Sequence, residues 1–319
     1  MKNFLCCSFV LVFSLFAVSA NGAPMAYSIN SDSGNVSTED SLYLIDLASG
    51  ADQRRGGLND GIDDRIDTEG LALDPDGTLW GIDDASLTLF PINTMTGTVR
   101  FQDEIPLASF PIGGGNDFGM TFSCDGSLYV TSVVTRSLYQ LGMNGSSETK
   151  GVEGGLGANI SAIAAYGNPV QLYGLGNGQF EDGTTDSPNL YSIDVDTGVA
   201  QLIGPLGAEA GEYKQGGLAF DSDGTLWAIT DRRNINNRLT DEPSQILQIN
   251  VDTGTATLVS TTTEVGFESL AIAPPSGCVS DVGGDEDYPH IPVLNPVGSL
   301  LTIIVLLLSG LVFLRKRIF

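Results

Sequence analysis

The sequence predicts an all-β protein, a five-bladed β-propeller, followed by one C-terminal transmembrane helix. The main observation is a repeated pattern: residues 69–80, which end in Leu-Trp, recur as residues 216–227 and more loosely as residues 118–129. Two degenerate copies begin near Ile160 and Glu268. A repeat of about 40–50 residues that holds several short strands is typical of a propeller blade. The second residues of the five units are Gly70, Gly119, Ser161, Gly217 and Ser269.

Each unit predicts four strands. The first strand alternates large and small side chains, as in residues 71–73, which suits a strand close to a crowded central axis. The Asp-x-Asp-Gly segments at 74–77 and 221–224 predict the first turn of a blade, because Asp caps the backbone and Gly adopts positive φ freely. The Thr-Gly pairs at 96–97 and 253–254 predict the third turn in the same way.

The fifth unit predicts how the ring closes. Residues 269–273 read as a first strand with no partners after it, whereas residues 26–29, 41–46 and 51–54 read as three strands with no first strand. Pairing the two ends completes one blade and removes the exposed sheet edges. We therefore expect a closed propeller over residues 24–275, with an open arc of repeats as the alternative.

Both ends of the chain indicate export. Residues 1–20 have a basic start, a short apolar run and small residues at the end, which predicts a signal peptide. Cleavage after Ala20 is the first choice, and cleavage after Ala23 is the second. A retained signal anchor is the alternative. Residues 297–314 form an uncharged apolar run followed by Arg-Lys-Arg, which predicts a transmembrane helix with its basic end in the cytoplasm. Residues 276–290 between domain and helix predict an acidic, flexible stalk.

Charge and composition exclude several functions. Residues 21–290 hold all 39 acidic residues but only 10 of the 14 basic ones, a net charge of −29, which excludes nucleic-acid binding. The one histidine, His290, lies in the stalk, so His-dependent nucleophilic catalysis and His-ligated zinc have no central residue in the propeller. Two cysteines follow the signal peptide, Cys124 and Cys278, and the sequence leaves open whether they form a disulfide.

The sequence resembles two known groups. The repeats resemble bacterial propellers of the NHL, SMP-30 and quinoprotein-like type over about residues 24–275. This resemblance implies an architecture and no particular activity. The tail, residues 291–319, resembles the IPTL-CTERM class of sorting signals, which is related to PEP-CTERM. That resemblance implies a bacterial cell envelope, a sorting protease, and attachment at or release from the cell surface. The matching positions are Ile291, Pro292, Leu294 and Gly298.

Polar residues at the start of the first strands are candidate metal ligands. If these strands line the channel, their leading residues converge at one end of it, where oxygen ligands suit Ca²⁺. SMP-30-like lactonases bind a metal at this place, so the resemblance implies the same for Glu69, Asp117, Asn159 and Glu268, with Gln215 beside them. The alternative is a wet channel mouth that collects polar groups, and an alignment error of one residue would turn each side chain away.

Two charged loops have plainer interpretations. Residues 59–67 form a dense acidic loop that lacks EF-hand spacing. We therefore expect a solvated loop, and the alternative is a weak cation site. Residues 232–238 hold three arginines, which we expect to balance local acidic charge or, alternatively, to contact an acidic partner.

The expected function is a non-enzymatic binding module of the cell envelope, anchored or sorted through its tail, that presents loops to a protein or polysaccharide. The alternative is a Ca²⁺-dependent hydrolase or lactonase at the channel mouth.

Overall fold

The computed structural model describes residues 23–31, 40–59, 64–107, 110, 117–178, 188–233 and 241–278. These residues form five antiparallel sheets. The closing blade contains β1 (Met25–Ile29), β2 (Ser41–Asp46) and β3 (Asp52–Gly57). Blade 1 contains β4 (Thr68–Leu73), β5 (Leu79–Asp83), β6 (Thr88–Ile92) and β7 (Ile105–Pro106).

Three further four-stranded blades follow along the chain. Blade 2 contains β8 (Phe118–Phe122), β9 (Leu128–Ser132), β10 (Ser137–Leu141) and β11 (Ser147–Thr149). Blade 3 contains β12 (Ile160–Tyr166), β13 (Gln171–Gly176), β14 (Asn189–Ile193) and β15 (Ala200–Pro205). Blade 4 contains β16 (Gly216–Phe220), β17 (Leu226–Arg232), β18 (Glu242–Ile249) and β19 (Ala256–Thr261). The prediction of an all-β, five-bladed propeller is confirmed.

The two ends of the described chain meet in the closing blade, as the sequence predicts. The N–H of Tyr27 donates to the carbonyl of Ala271 over 2.7 Å, and the N–H of Ala271 donates back over 2.9 Å. The expected strand 269–273 is reduced to a single bridge at Ala271, because the hydroxyl of Ser269 accepts the next hydrogen bond, from the N–H of Ile29. We call residues 267–273 the closing segment.

The inner strands define two faces. The first residues of β4, β8, β12 and β16 line one cavity in the channel and their last residues line another, so the four strands run in the same direction. We call the end where they begin the top. Tight turns such as 74–78 and 221–225 lie at the bottom, whereas the strand ends that flank residues 107–117, 177–188 and 233–241 lie at the top.

The hydrophobic core lies between the blades. Each of five clusters of buried apolar side chains combines residues from neighbouring blades, as where Trp227 of blade 4 packs with Ile45 and Phe267 of the closing blade. Trp227 is 2% exposed, and its ring N–H donates to Asp221 over 2.8 Å. Trp80 makes the equivalent bond to Asp74 over 2.9 Å. Both tryptophans thus pack between neighbouring blades, and burying their apolar surface holds the ring together.

The C-terminal end of the described chain is tied to blades 2 and 3. Cys124 and Cys278, which the sequence left open, form a disulfide with Cα atoms 5.5 Å apart. Residues 276–278, assigned to the stalk from the sequence, are therefore packed against the propeller. The rest of the stalk, the signal peptide 1–20, the sorting residues and the span 297–314 lie outside the described residues.

Helical structure is minimal in the part of the chain that the structure describes. It consists there of two single-turn 3-10 helices, Phe101–Asp103 and Ala208–Ala210, which lie in connections between strands. No helix among the described residues is long and apolar enough to cross a membrane.

Candidate functional site at the top of the channel

The candidate site lies where the inner strands begin. The residue before each inner strand is held in place by a backbone hydrogen bond across the first hairpin, from an N–H group at the end of the second strand to its carbonyl oxygen. These bonds, of 2.8–3.2 Å, run from Asp84 to Asp67, from Val133 to Asp117, from Asn177 to Asn159 and from Asp231 to Gln215. The structure therefore makes Asp67, not Glu69, equivalent to Asp117, Asn159 and Gln215.

Glu69 reaches the channel because its strand has a bulge. At Glu69 in β4 and at Ser161 in β12, the register of the first hairpin shifts by one residue. A β-bulge re-aims a side chain, and such bulges are frequent beside active sites. Glu69 and Ser161 both line the same cavity in the upper channel. The two bulges thus bring one carboxyl group and one hydroxyl group to a common place.

The cavity that they share is small and has a polar top. Its volume is about 10 Å³, enough for one water molecule or one ion, and Glu268 of the closing segment completes its polar lining. Ser161 is 4% exposed, and its hydroxyl has no hydrogen-bond partner among the residues that the structure describes. A buried hydroxyl without a partner is costly, so this site favours a bound polar species.

The glycines of the repeat make the channel this narrow. A Cβ on Gly217 would overlap the backbone of Ser269 and Leu270, and a Cβ on Gly119 would lie 2.8 Å from the Cα of Ala162. Neighbouring inner strands therefore approach closely at the anchor position of the repeat. This contact explains why small residues recur there.

Glu268 is held by groups from two blades. It is 3% exposed and accepts hydrogen bonds from the hydroxyl of Ser31 and from the side-chain amide of Gln215. These bonds join the closing segment to the loop after β1 and to blade 4. The carboxyl group is therefore fixed in position at the mouth of the channel.

The carboxyl groups of the site have raised pKa values. Burial raises the pKa of Glu69 well above its usual range, and the negative charges of Glu268 and Asp117 raise it further. Burial and the charge of Asp231 do the same to the pKa of Glu268. The Glu69 carboxyl also hydrogen bonds to Asp67, whose own pKa is raised, mainly by burial. A cation in the mouth would reverse these shifts, because it stabilises the ionised carboxylates.

Asp231 lies at the edge of the same cluster. It is fully buried, and burial raises its pKa to about 7, against the opposing effects of the Arg233 backbone N–H and the charge of Lys214. The Arg233 guanidinium lies 3.4 Å from the Asp231 carboxylate, and burial lowers the pKa of Arg233. The neighbouring Arg232 pairs with Glu242 at 2.6 Å. These two arginines balance local acidic charge, as expected from the sequence.

The structure brings most, but not all, of the predicted ligands together. Glu69 and Glu268 line one cavity, and Asp117 acts electrostatically on both. Asn159 is turned to another partner, because its side-chain oxygen accepts a hydrogen bond of 2.7 Å from the Nε of Arg136. A carbonyl oxygen beside a guanidinium is a poor ligand for a second cation. The metal-site prediction therefore stays a prediction, and it rests on Glu69 and Glu268.

Sequence reasoning missed Asp67, Asp231 and Ser161. The repeat contained a signal for Asp231, since blade 1 also has an acidic residue, Asp84, just after its second strand. Ser161 was treated only as a repeat anchor, because a bulge leaves no clear trace in the spacing of side chains.

The side chains at the site offer the type of ligand atom, oxygen, that a hard cation prefers. Among the described residues, no group of three His, Cys, Asp or Glu side chains is arranged to hold a metal ion. Two carboxylates and the unpaired hydroxyl of Ser161 are oxygen donors of the type that Ca²⁺ prefers, yet Ca²⁺ takes about 6–8 ligands. Water molecules at the open mouth would have to complete the coordination.

The sequence matches no family model, and no curated protein matches it. Similar solved structures include virginiamycin B lyase from Staphylococcus aureus, at 17% identity and a TM-score of 0.40 over 69% of this chain and 63% of that one. This chain thus spans less than two thirds of the lyase. The calcium-binding protein regucalcin from Agrobacterium tumefaciens is similar at 17% identity and a TM-score of 0.42 over 79% of each chain. These likenesses concern the fold alone.

Proposed function

We propose that the chain is an exported, non-enzymatic binding module of the cell envelope that takes a hard cation, such as Ca²⁺, at the top of its channel. The observation that carries the proposal is the shared cavity lined by the half-buried Glu69 and by the buried Glu268 and Ser161, where the Ser161 hydroxyl has no partner among the described residues. The charge of −29 over residues 21–290 attracts cations to this mouth.

The cation would order the top face. Glu268 connects the closing segment, the loop after β1 and blade 4, so a charge bound beside it stabilises three elements at once. The described residues around the mouth would then form a fixed surface for a protein or polysaccharide partner. When bound, the ion supplies charge neutralisation, and the chain supplies fixed oxygen ligands.

The position of the C-terminal exit supports presentation of the top face. Residue 278 is bonded to the turn between β8 and β9, which lies at the bottom. The last described residue therefore lies on the face opposite the carboxylate cluster, and the predicted stalk and tail follow it in the sequence.

Calorimetric titration with Ca²⁺ tests the proposal. The chain is expected to bind Ca²⁺ and to melt at a lower temperature after a chelator removes the ion, because a ligand of the folded state stabilises it. Glu268→Gln and Glu69→Gln should abolish both effects, whereas Asp76→Asn, an exposed acid at the bottom, should change neither. Absence of Ca²⁺ binding by the native chain would remove the cation from the proposal.

A second candidate function is a Ca²⁺-dependent hydrolase or lactonase at the same mouth. The specific observation in its favour is Asp231, whose pKa of about 7 suits a general base. A panel of lactones incubated with the Ca²⁺-loaded chain tests it. Hydrolysis that Asp231→Asn reduces by about 10²-fold or more would favour the enzyme, and no turnover of any lactone would leave the binding role.

A further inference from the structure

The last described residues cross the bottom of the channel. We call residues 274–278 the strap. It continues directly from the closing segment and passes under the inner strands to blade 3, where Ser276 pairs in parallel with Tyr166. The N–H of Gly167 donates to the carbonyl of Ser276 over 2.8 Å. The strap then ends at Cys278, which is bonded to Cys124 in blade 2.

The strap closes the lower end of the channel. The space above it is a cavity of about 30 Å³, lined mainly by apolar side chains at the ends of the inner strands, among them Leu73, Phe122 and Phe220. Ser276 is 8% exposed and forms part of the same lining. Without the strap, this apolar surface would face water, which costs free energy in proportion to its area.

Non-covalent contacts hold the strap weakly compared with the blades. Among the described residues, the strap meets the propeller backbone at the Tyr166–Ser276 bridge, where Gly167 donates to Ser276, and its Gly277 lies so close to Tyr166 that a Cβ there would be 2.6 Å from the ring. The closing segment before it is held more firmly, by the paired bonds of Tyr27 and Ala271, by the side-chain bonds of Glu268 and by buried core residues such as Phe267. The disulfide therefore carries much of the attachment of the strap, and not of the closing segment.

We propose that the Cys124–Cys278 disulfide is a redox-operated clasp, which holds the strap across the channel when oxidised and releases it when reduced. Reduction by a dithiol breaks the S–S bond, two electrons and two protons convert the sulfurs to two thiols, and the dithiol becomes a disulfide. The strap then leaves the bottom of the channel, while the closing segment keeps its contacts with β1 and the core. The clasp needs no bound cation, so it stands independently of the proposed function.

Amide hydrogen exchange on the full chain, before and after reduction with dithiothreitol, tests the clasp. Reduction should speed exchange of the amide of Gly167, which is bonded to the strap, by about tenfold or more, because opening becomes local and less costly. Amides of β13 and β14, which belong to the same part of blade 3, should change by less than about twofold. Reoxidation should restore the original rates.

The double variant Cys124→Ser/Cys278→Ser should exchange like the reduced chain and should not respond to dithiothreitol. Two results would overturn the proposal. If the amide of Gly167 keeps its protection after reduction, the strap holds without the bond. If β13 and β14 lose protection to the same extent, the disulfide is a general staple of the fold and not a clasp. Reduction of the native chain decides the matter even if the double variant does not fold.

Discussion

Asp231 shows at the scale of one residue how burial, more than pairing, determines the behaviour of the site. Its carboxylate has a guanidinium at 3.4 Å and a backbone N–H at 3.0 Å, yet its pKa rises because desolvation outweighs both. The free-energy cost of burying an ionised carboxylate in a low-dielectric site is larger than the stabilisation that a long ion pair provides. The same cause raises the pKa of Glu69 and Glu268.

The raised pKa of Asp231 predicts a pH-dependent stability. Because the folded pKa is about 7 and the ordinary value 3.8, the folded state binds more protons between those values. The contribution to stability is complete below about pH 4 and is lost as pH rises through about 7, by up to about 4 kcal/mol. Denaturant unfolding from pH 4 to 8 should show this decline, and Asp231→Asn should reduce it.

Asp76→Asn is the control for that measurement, since Asp76 is exposed in a bottom turn and should leave the pH dependence unchanged. Equal pH profiles for the native chain and Asp231→Asn would show that folding does not raise the pKa of Asp231.

At the scale of the element, the third turn of each blade has two reasons to contain glycine. The sequence indicated the first, positive φ, and Gly97 has a φ of 72°. The structure adds the second: the turn touches the outer edge of the preceding blade, so that a Cβ on Gly97 would lie 2.5 Å from the carbonyl oxygen of Gly56. The five contacts of this kind are Gly56 with Thr96, Pro106 with Gly145, Gly151 with Thr197, Gly204 with Thr253, and Thr261 with Gly50.

Comparing two alanine substitutions separates these reasons. Gly97→Ala combines an unfavourable φ with a backbone clash and should cost about 2–4 kcal/mol of unfolding free energy. Gly126→Ala has a similar φ, 81°, but open space around it, and should cost about 1 kcal/mol. Urea unfolding measures both. If the two variants are equally stable, the contact between blades at Gly97 contributes nothing.

At the scale of the whole molecule, the ring depends on a few residues far from its N-terminal strands. The closing segment supplies Phe267, Leu270 and Ile272 to the core shared by blade 4 and the closing blade. It also supplies Glu268 to the top of the channel and leads into the strap at the bottom. Closure, the candidate site and the clasp thus meet in about a dozen consecutive residues.

Truncation tests this dependence. A chain that ends at residue 278 should unfold cooperatively near the melting temperature of the longer chain, since it keeps the closing segment and the disulfide. A chain that ends at residue 266 should lose cooperative unfolding, because the blade edges and apolar residues of the closing blade are left uncovered. Calorimetry measures both. A cooperative transition in the shorter chain would mean that the repeats form a stable open arc.

The repeat pattern alone determined the blade count, the strand order, the turn glycines and the pairing of the two ends. It could do so because strand alternation, turn chemistry and repeat length are local or periodic properties of the chain. The repeat also pointed to Glu69, Asp117 and Glu268, although the bulge at Glu69 makes Asp67, and not Glu69, the residue equivalent to Asp117.

Only the tertiary structure decided which polar groups share the cavity, that Asn159 turns to Arg136, and that Cys124 bonds Cys278. Bulges, side-chain partners and contacts between distant segments depend on packing in three dimensions, and a one-residue shift in a strand reverses the side that a residue faces. For that reason the sequence held no signal strong enough to predict that Ser161 and Asp231 belong to the site. It also did not predict that the strap closes the channel.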